Sequence, residues 1–181
     1  MLFEKDEKDR KSALDLTALS SRFFVRRLLP EDVDAVYRLA SRNAIYYRYH
    51  EPFVTSEDIL EGMAALPPGV SAESKFYIGF FDGDQLAALM DLVLGYPNAV
   101  TAFIGLFMTE PDLQGRGVGT CVISECAEQL RQRGFQTLRL AVDKGNPQSL
   151  AFWQKNGFVL TGEAYPNGSS AYLPMERRLA P

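Results

Sequence analysis

The spacing of apolar and polar residues predicts a strand and two helices in the first third of the chain. A β-rich run from Phe23 to Leu29 ends at Pro30, and proline is favoured in the first turn of a helix. The helical spacing that follows is carried by Val33, Val36, Tyr37 and Ala40. A second helical stripe begins after Thr55 and Asp58, which have the spacing of a capping box, and prolines and a glycine at 67–69 stop it.

Three further runs predict antiparallel strands in the middle of the chain. Phe76 to Phe81 and Leu86 to Leu94 flank an Asp-Gly-Asp turn at 82–84, which is typical of a β-hairpin. Thr101 to Thr109 follows a second turn and continues the sheet. The pattern then changes to a glycine-rich loop and a helix that ends near Arg133. The remaining elements are predicted as a strand from Thr137 to Val142, a helix from Pro147 to Lys155, and strands near Phe158 to Leu160 and Ala171 to Leu179.

The size and composition of the chain fit a single globular domain. It has 181 residues, of which 46% are hydrophobic and 23% charged, and no internal repeat or low-complexity linker divides it. Residues 1–20 begin with mixed charges and are interpreted as an N-terminal arm that drapes over the domain, with a disordered tail as the alternative. The domain itself is predicted to span residues 21–181.

The charge and the scarcity of metal ligands argue against several classes of partner. A net charge of −4 disfavours binding to phosphate backbones and to anionic lipid, so neither nucleic acid nor a membrane is expected as a partner. No stretch approaches the ~20 apolar residues that cross a bilayer, and the charged first residues do not resemble a secretory signal, so we expect a cytoplasmic protein. One histidine and two cysteines without a cluster predict no metal site.

The glycine-rich loop carries the clearest chemical signal. It reads Gln-Gly-Arg-Gly-Val-Gly-Thr at 114–120, between a predicted strand and an amphipathic helix. Backbone N–H groups converge at such a helix N-terminus, where the helix dipole favours an anion, and Arg116 adds a charged donor. The loop lacks the lysine of a Walker phosphate loop, and a dinucleotide fingerprint would need glycine at the position of Thr120. A pyrophosphate site fits the loop, and a tight turn into a helix is the alternative.

Two groups of residues together resemble the motifs of the GNAT superfamily of acyltransferases. The first follows the superfamily pattern Gln/Arg-x-x-Gly-x-Gly/Ala, and the second is an asparagine followed seven residues later by an aromatic residue and then by Gly-Phe. The matching residues are Gln114, Gly117 and Gly119 in the loop, and Asn146, Trp153, Gly157 and Phe158 further on. The resemblance in the motifs extends over residues 101–159, and the order of elements agrees from Phe23 onwards.

This resemblance implies an α/β fold of the α+β type, with a mixed, mostly antiparallel central sheet of about six to seven strands and about four flanking helices. The strands that end at Thr109 and Val142 are expected to splay, so that pantetheine enters between them and satisfies unpaired backbone groups. The implied acyl donor is acetyl-CoA (acetyl-coenzyme A). Its expected contacts are the backbone of Phe107, Met108 and Thr109, the pyrophosphate loop Gln114, Gly115, Arg116, Gly117, Val118, Gly119 and Thr120, and Asn146 and Trp153 along the arm.

Three positions depart from the family pattern. Trp153 stands where relatives often have a tyrosine that protonates the departing thiolate, and an indole N–H is not an acid at physiological pH. Phe103 and Ala141 stand where relatives that use a strand carboxylate as general base place it. Neither side chain can accept a proton, so the base must lie elsewhere.

The candidate catalytic residues are Thr109, Glu110 and Asp91. The N–H of Thr109 is the candidate donor to the oxyanion that forms when an amine attacks the thioester. Glu110 and Asp91 are candidate bases, and Asp143 and His50 are further ones. For Asp91, a position on a water-facing strand edge is the preferred interpretation and a catalytic role is the alternative.

The acceptor is expected to be a small-molecule amine, with a peptide as the alternative. The candidate residues for binding it are Tyr46, Tyr47, His50 and Tyr96. Aromatic side chains with polar tips suit an amine, although they equally suit a helix packed on the sheet. The sequence thus predicts an N-acetyltransferase that acts by direct attack on the thioester. A non-catalytic acyl-coenzyme A-binding or sensor module is the alternative, and a homodimer is left open.

Overall fold

An eight-stranded mixed sheet organises residues 14–179, the part of the chain that the computed structural model describes. The strands are β1 (Phe24–Arg27), β2 (Lys75–Asp82), β3 (Gln85–Leu94), β4 (Thr101–Thr109), β5 (Thr137–Asp143), β6 (Val159–Leu160), β7 (Tyr165–Asn167) and β8 (Ser170–Arg178). Their order across the sheet is β1-β2-β3-β4-β5-β8-β6, with β7 paired to β8. Neighbours are antiparallel except β4 and β5, which are parallel.

The α-helices in the described part of the chain are α1 (Val33–Arg42), α2 (Ala44–Tyr47), α3 (Ser56–Ala64), α4 (Val118–Gln132) and α5 (Pro147–Lys155). The predicted fold class is confirmed, with one more strand and one more helix than expected. The additional helix α2 has four residues, too few to produce a periodic pattern. The additional strand β7 contains Pro166, which argues against a central strand but is tolerated here because β7 pairs only with β8.

Local hydrogen bonds explain where α3 and α5 begin. The side chain of Thr55 accepts a hydrogen bond from the N–H of Asp58, and the Asp58 carboxylate accepts one from the N–H of Thr55, which completes the predicted capping box. Asn146 caps α5 by accepting a hydrogen bond from the N–H of Ser149 at 3.0 Å. Both caps were predictable because each joins residues three positions apart.

Apolar residues cover both faces of the sheet. Along β2, Phe76 and Ile78 point to the face that α4 and α5 cover, whereas Tyr77 points to the face that α1 and α3 cover. Part of the predicted N-terminal arm, residues 1–13, lies outside the described residues. Leu14 and Leu19 of the same segment are buried in the core on the α4 side, and the domain boundary at residue 21 stays a prediction.

Candidate active site

Strands β4 and β5 separate halfway along their length, as the resemblance predicted. They pair in parallel only up to Ile104 and Leu140. Beyond that point β4 continues to Thr109 and β5 to Asp143 without pairing to each other. The register of β4 on β3 skips Gly105, which forms a β-bulge where the separation begins.

The backbone of β4 presents hydrogen-bonding groups to this gap. The N–H of Glu110 donates to the C=O of Ala87 at 2.8 Å, so the antiparallel ladder leaves Thr109 unbonded to β3. By the same alternation, Phe107 also directs its N–H and C=O into the gap, whereas those of Met108 face β3. Two of the three predicted backbone contacts therefore have free groups in the gap.

A cavity of about 270 Å³ occupies the gap, and we call it the strand cleft. Its walls include Phe103 and Ala141, so the two positions at which relatives carry a carboxylate are apolar surface here. Trp153 closes one side with 7% of its surface exposed. The indole is fixed by Phe152, Phe158 and Phe107, whose ring centroids lie 4.9, 5.1 and 5.9 Å from its own.

The loop that precedes α4 presents unpaired backbone donors. Gly115 and Gly117 have positive φ values of 71° and 79°, and a Cβ at either position would meet nothing within 4 Å. Gly117 is the N-cap of α4, and no side chain within residues 14–179 caps it. The first i→i−4 hydrogen bond of the helix runs from Cys121 to Gly117, which leaves the N–H groups of 118–120 without a helical partner. The loop therefore fits an anion.

Gly119 has a different reason to be glycine. A Cβ there would lie 3.1 Å from two ring carbons of Phe152 and 3.6 Å from Phe107. Its absence allows α4 to approach the aromatic rings beside the strand cleft. Close packing, as well as access for a phosphate, explains this position.

Gln114 joins the loop to the end of β4. Its Nε2 donates to Oδ1 of Asn43 at 2.8 Å and to the C=O of Thr109 at 3.3 Å, and Asn43 Nδ2 donates to the same carbonyl at 3.2 Å. The carbonyl of Thr109 is thus occupied while its N–H stays available to the gap.

Glu110 is buried and lies next to Thr109. It forms an ion pair with Arg42, which also contacts Asp112 at 3.0 Å. Glu110 is absent from the walls of both cavities described here. The structure places this candidate base where it joins α1 to the end of β4.

A second cavity of about 310 Å³, which we call the helix pocket, lies between α1, α3 and the sheet. Tyr46, Tyr47 and Tyr77 form much of its wall. Burial raises the pKa of Tyr47 to about 12, and it raises the pKa values of Tyr46 and Tyr77 as well, so these hydroxyls stay protonated near neutral pH. Its lining carboxylates are Asp58 and Asp91, and no lysine or arginine within residues 14–179 lines it.

Asp91 is not at a strand edge, contrary to the preferred interpretation of its sequence context. It lies in β3, between β2 and β4, with its side chain 16% exposed. Lys75 Nζ donates to Asp91 Oδ2 at 2.8 Å and is itself 6% exposed. Burial raises the pKa of Asp91, and the Lys75 ammonium opposes that rise. A buried cation on the neighbouring strand, rather than water, accounts for this carboxylate.

His50 and Asp143 meet although 93 residues separate them in the chain. Nδ1 of His50 lies 3.2 Å from both carboxylate oxygens of Asp143, whose side chain is 6% exposed. The imidazole stacks on Tyr46, with centroids 5.0 Å apart. His50 and Tyr46 line both cavities, together with Gly105 and Leu106. The two cavities therefore share a wall.

Of the four residues proposed to bind the acceptor, Tyr46, Tyr47 and His50 line the helix pocket. Tyr96 lies elsewhere, with its ring edge-on to Phe103 at 5.6 Å. Sequence reasoning missed Tyr172, which the pairing of β5 with β8 brings into the strand cleft and which no local pattern marks. It also missed Gly105, although a glycine inside a strand pattern is a known sign of a bulge.

Within residues 14–179, no group of three or more His, Cys, Asp or Glu side chains is arranged to hold a metal ion. No helix in the same range is long and apolar enough to cross a membrane.

Comparisons with known proteins agree with the geometry. A sequence model of the acetyltransferase (GNAT) family matches residues 33–158. Mycothiol acetyltransferase from Beutenbergia cavernae is 34% identical over 78 residues, which are 43% of this chain and 26% of that protein, so the match spans about a quarter of that relative's length.

Solved structures show the same fold. An acetyltransferase from Thermus thermophilus superposes with a TM-score of 0.67 at 24% identity, covering 85% of this chain and 95% of the other. The PaiA N-acetyltransferase from Thermoplasma acidophilum, solved in complex with coenzyme A, superposes with a TM-score of 0.60 at 19% identity over 85% and 97%. An aminoglycoside 6'-N-acetyltransferase complexed with coenzyme A gives 0.62 at 14% identity over 87% and 97%.

Proposed function

Because the chain belongs to the GNAT acetyltransferase family, we propose that it transfers the acetyl group of acetyl-CoA to the primary amine of a small molecule by direct attack of the amine on the thioester. The observation that carries the proposal is the wall shared by the two cavities. A donor in the strand cleft and an acceptor in the helix pocket would meet beside His50, Gly105 and Leu106.

The residues present fit the donor. The unpaired N–H groups at 118–120, at the N-terminus of a 15-residue helix, suit a pyrophosphate, and Arg116 adds an exposed cation beside them. The free backbone groups of Phe107 and Thr109 suit the amides of a pantetheine arm. Acetyl-CoA supplies an activated acetyl thioester, and the chain supplies these contacts along the cleft.

Two residues are assigned roles beside the thioester. The N–H of Phe107, which faces the gap and lines the strand cleft beside Leu106, would donate to the oxyanion, while that of Thr109, about 10 Å beyond Leu106 along the strand, would contact the pantetheine arm. Trp153 would support the arm by packing, since it is held rigidly by three aromatic rings and has no acidic proton.

The helix pocket supports an amine with an apolar body as the acceptor. Its volume lies at the lower end of the range for small-molecule sites, and tyrosine rings and aliphatic side chains form most of its wall. Asp91 is already paired with Lys75, so Asp58 is the lining anion that suits a cationic amine, and a carboxylate on the acceptor would find no lysine or arginine in the lining described. We therefore propose aryl- or alkylamines rather than amino acids.

The test is acetyl transfer to a matched panel of amines, followed by thiol release and by mass spectrometry of the product. Phenethylamine and phenylalanine form the decisive pair because they differ by one carboxylate. We expect kcat/KM to be at least about tenfold higher for phenethylamine, since the carboxylate enters unpaired. Binding of coenzyme A without thiol release on any amine would favour the sensor alternative, and a preference for phenylalanine would contradict the acceptor class.

Gly117→Glu provides the control for the donor site. Its carboxylate would repel a pyrophosphate at the loop, so calorimetric titration with coenzyme A should detect no binding. Gly83→Glu is the matched variant, because Gly83 also has a positive φ, 58°, and open space around it, but lies in the β2–β3 turn. Both should lose similar stability, about 1 to 2 kcal/mol, from the left-handed backbone, and only the first should lose coenzyme A.

A further inference from the structure

The single histidine of the chain is held in a defined orientation on the shared wall of the two cavities. Its ring stacks on Tyr46 of α2, and the ring of Tyr172 of β8 lies 6.1 Å away. The side chain is nevertheless 34% exposed. The imidazole is thus oriented by its neighbours and still accessible from the cavities.

The hydrogen bond to Asp143 determines which nitrogen is free. Because both carboxylate oxygens lie 3.2 Å from Nδ1, the neutral ring is favoured as the tautomer with a proton on Nδ1. Nε2 then carries the lone pair.

The two carboxylates predicted as bases are each already paired with a cation. Glu110 pairs with Arg42, and Asp91 pairs with Lys75. Asp91 lines only the helix pocket, and Glu110 lines neither cavity, so neither carboxylate lies on the shared wall. His50 lies on that wall, and its own partner is an anion.

We propose that His50 Nε2 is the general base of the transfer and that Asp143 is its positioning residue, an inference that rests on the proposed function. Nε2 removes one proton from the acceptor ammonium, and the neutral amine forms the C–N bond to the thioester carbonyl carbon. As the C–S bond breaks, the sulfur leaves as thiolate and takes up the second amine proton. The imidazolium then releases its proton to solvent, so ammonium and thioester give amide, thiol and one proton.

The groups that face the imidazole are Asp143 from β5, Tyr46 from α2 and Tyr172 from β8, and the helix pocket is lined by two further carboxylates, Asp58 and Asp91. The pKa values of both tyrosines are raised, chiefly by burial and further by Asp143. They are neutral near neutral pH, which leaves Asp143 as the charged group in contact with the ring.

The kinetic test compares His50→Asn, Asp143→Asn and Tyr49→Phe. Asparagine at 50 retains an N–H for Asp143 but offers no basic nitrogen, so kcat should fall about 100-fold or more with little change in the KM for acetyl-CoA. The rise of kcat/KM on the acid side should disappear, and added imidazole should restore part of the rate. Asp143→Asn should lose less, and Tyr49→Phe, next to His50 in the chain, should behave as the unaltered protein.

A second test needs no turnover. The chain without a tag has one histidine, so an NMR spectrum of protein with nitrogen-15-labelled histidine contains one pair of ring nitrogen signals, and both belong to His50. Nδ1 should carry the proton in the neutral ring, and Asp143→Asn should change that preference.

The outcomes separate the two proposals. Absence of thiol release by the unaltered protein with every amine refutes the proposed function itself. Turnover and a pH profile that survive His50→Asn, or a neutral ring protonated on Nε2, refute the assignment of the base alone.

Discussion

Removing either member of the Lys75–Asp91 pair should destabilise the protein severely. The ammonium and carboxylate are 2.8 Å apart, and their side chains are only 6% and 16% exposed. Asp91→Leu leaves a buried ammonium without a charged partner, and Lys75→Met leaves a buried carboxylate whose Oδ1 has no hydrogen bond in the described structure. Each single change should cost about 3 to 5 kcal/mol of unfolding free energy, because the remaining charge stays desolvated.

Replacing both residues by apolar ones should cost far less than either single change. Lys75→Met combined with Asp91→Leu removes both charges, and buried ion pairs replaced in this way often leave stability unchanged or improved. The matched control is Arg131→Met, which breaks the exposed pair with Glu128 on α4 and should leave the free energy of unfolding almost unchanged.

Urea denaturation of the unaltered protein, the two single variants and the double variant, with the control measured in parallel, gives their free energies of unfolding. In thermal unfolding, the single variants of a chain of this size should lose about 6 to 20 °C in Tm. Single variants that lose less than about 1 kcal/mol, or a double variant as unstable as the sum of the singles, would refute the view that the two charges are buried and held by each other.

Two further predictions concern the aromatic wall of the strand cleft. Trp153→Ala should raise the KM for acetyl-CoA more than it lowers kcat, because the indole packs and transfers no proton. Trp153→Phe should retain most of the affinity. A folded Trp153→Ala protein with the turnover and affinity of the unaltered protein would contradict the placement of Trp153 beside the acetyl-CoA arm. Gly119→Ala should cost about 1 to 3 kcal/mol of stability, since its Cβ would lie 3.1 Å from Phe152. Thermal unfolding beside Gly62→Ala, which meets nothing within 4 Å in α3, measures this cost, and equal Tm values would show that the ring yields freely.

Features that depend on residues close together in the sequence were predictable from the sequence. The capping box at Thr55 appears where expected, and Asn146 caps α5 by a hydrogen bond that spans the same three residues. The glycine loop is local in the same sense, since the conformation of Gly117 and the start of α4 are encoded within a few positions. Its identification as a pyrophosphate site stays a prediction that coenzyme A titration tests.

The surroundings of residues that contact distant parts of the chain were predicted less well. Asp91 was expected at a strand edge, because the residues beside it in the sequence do not reveal that Lys75 of the neighbouring strand β2 pairs with it. Glu110 was named as a candidate base, and nothing near it in the sequence indicates that α1 brings Arg42 to it. A carboxylate has the same local pattern whether water, a cation or a substrate faces it.

Local pattern therefore determines the elements, their ends and the loop before α4, because hydrogen bonds and side-chain spacing within one segment are encoded there. The tertiary structure decides where the chemistry lies. His50 reaches Asp143 across 93 residues, and Tyr172 joins them through the pairing of β5 with β8. The separation of β4 from β5 opens the cavity beside them. Such contacts depend on which strands become neighbours, which is decided by packing of the whole sheet rather than by any one segment.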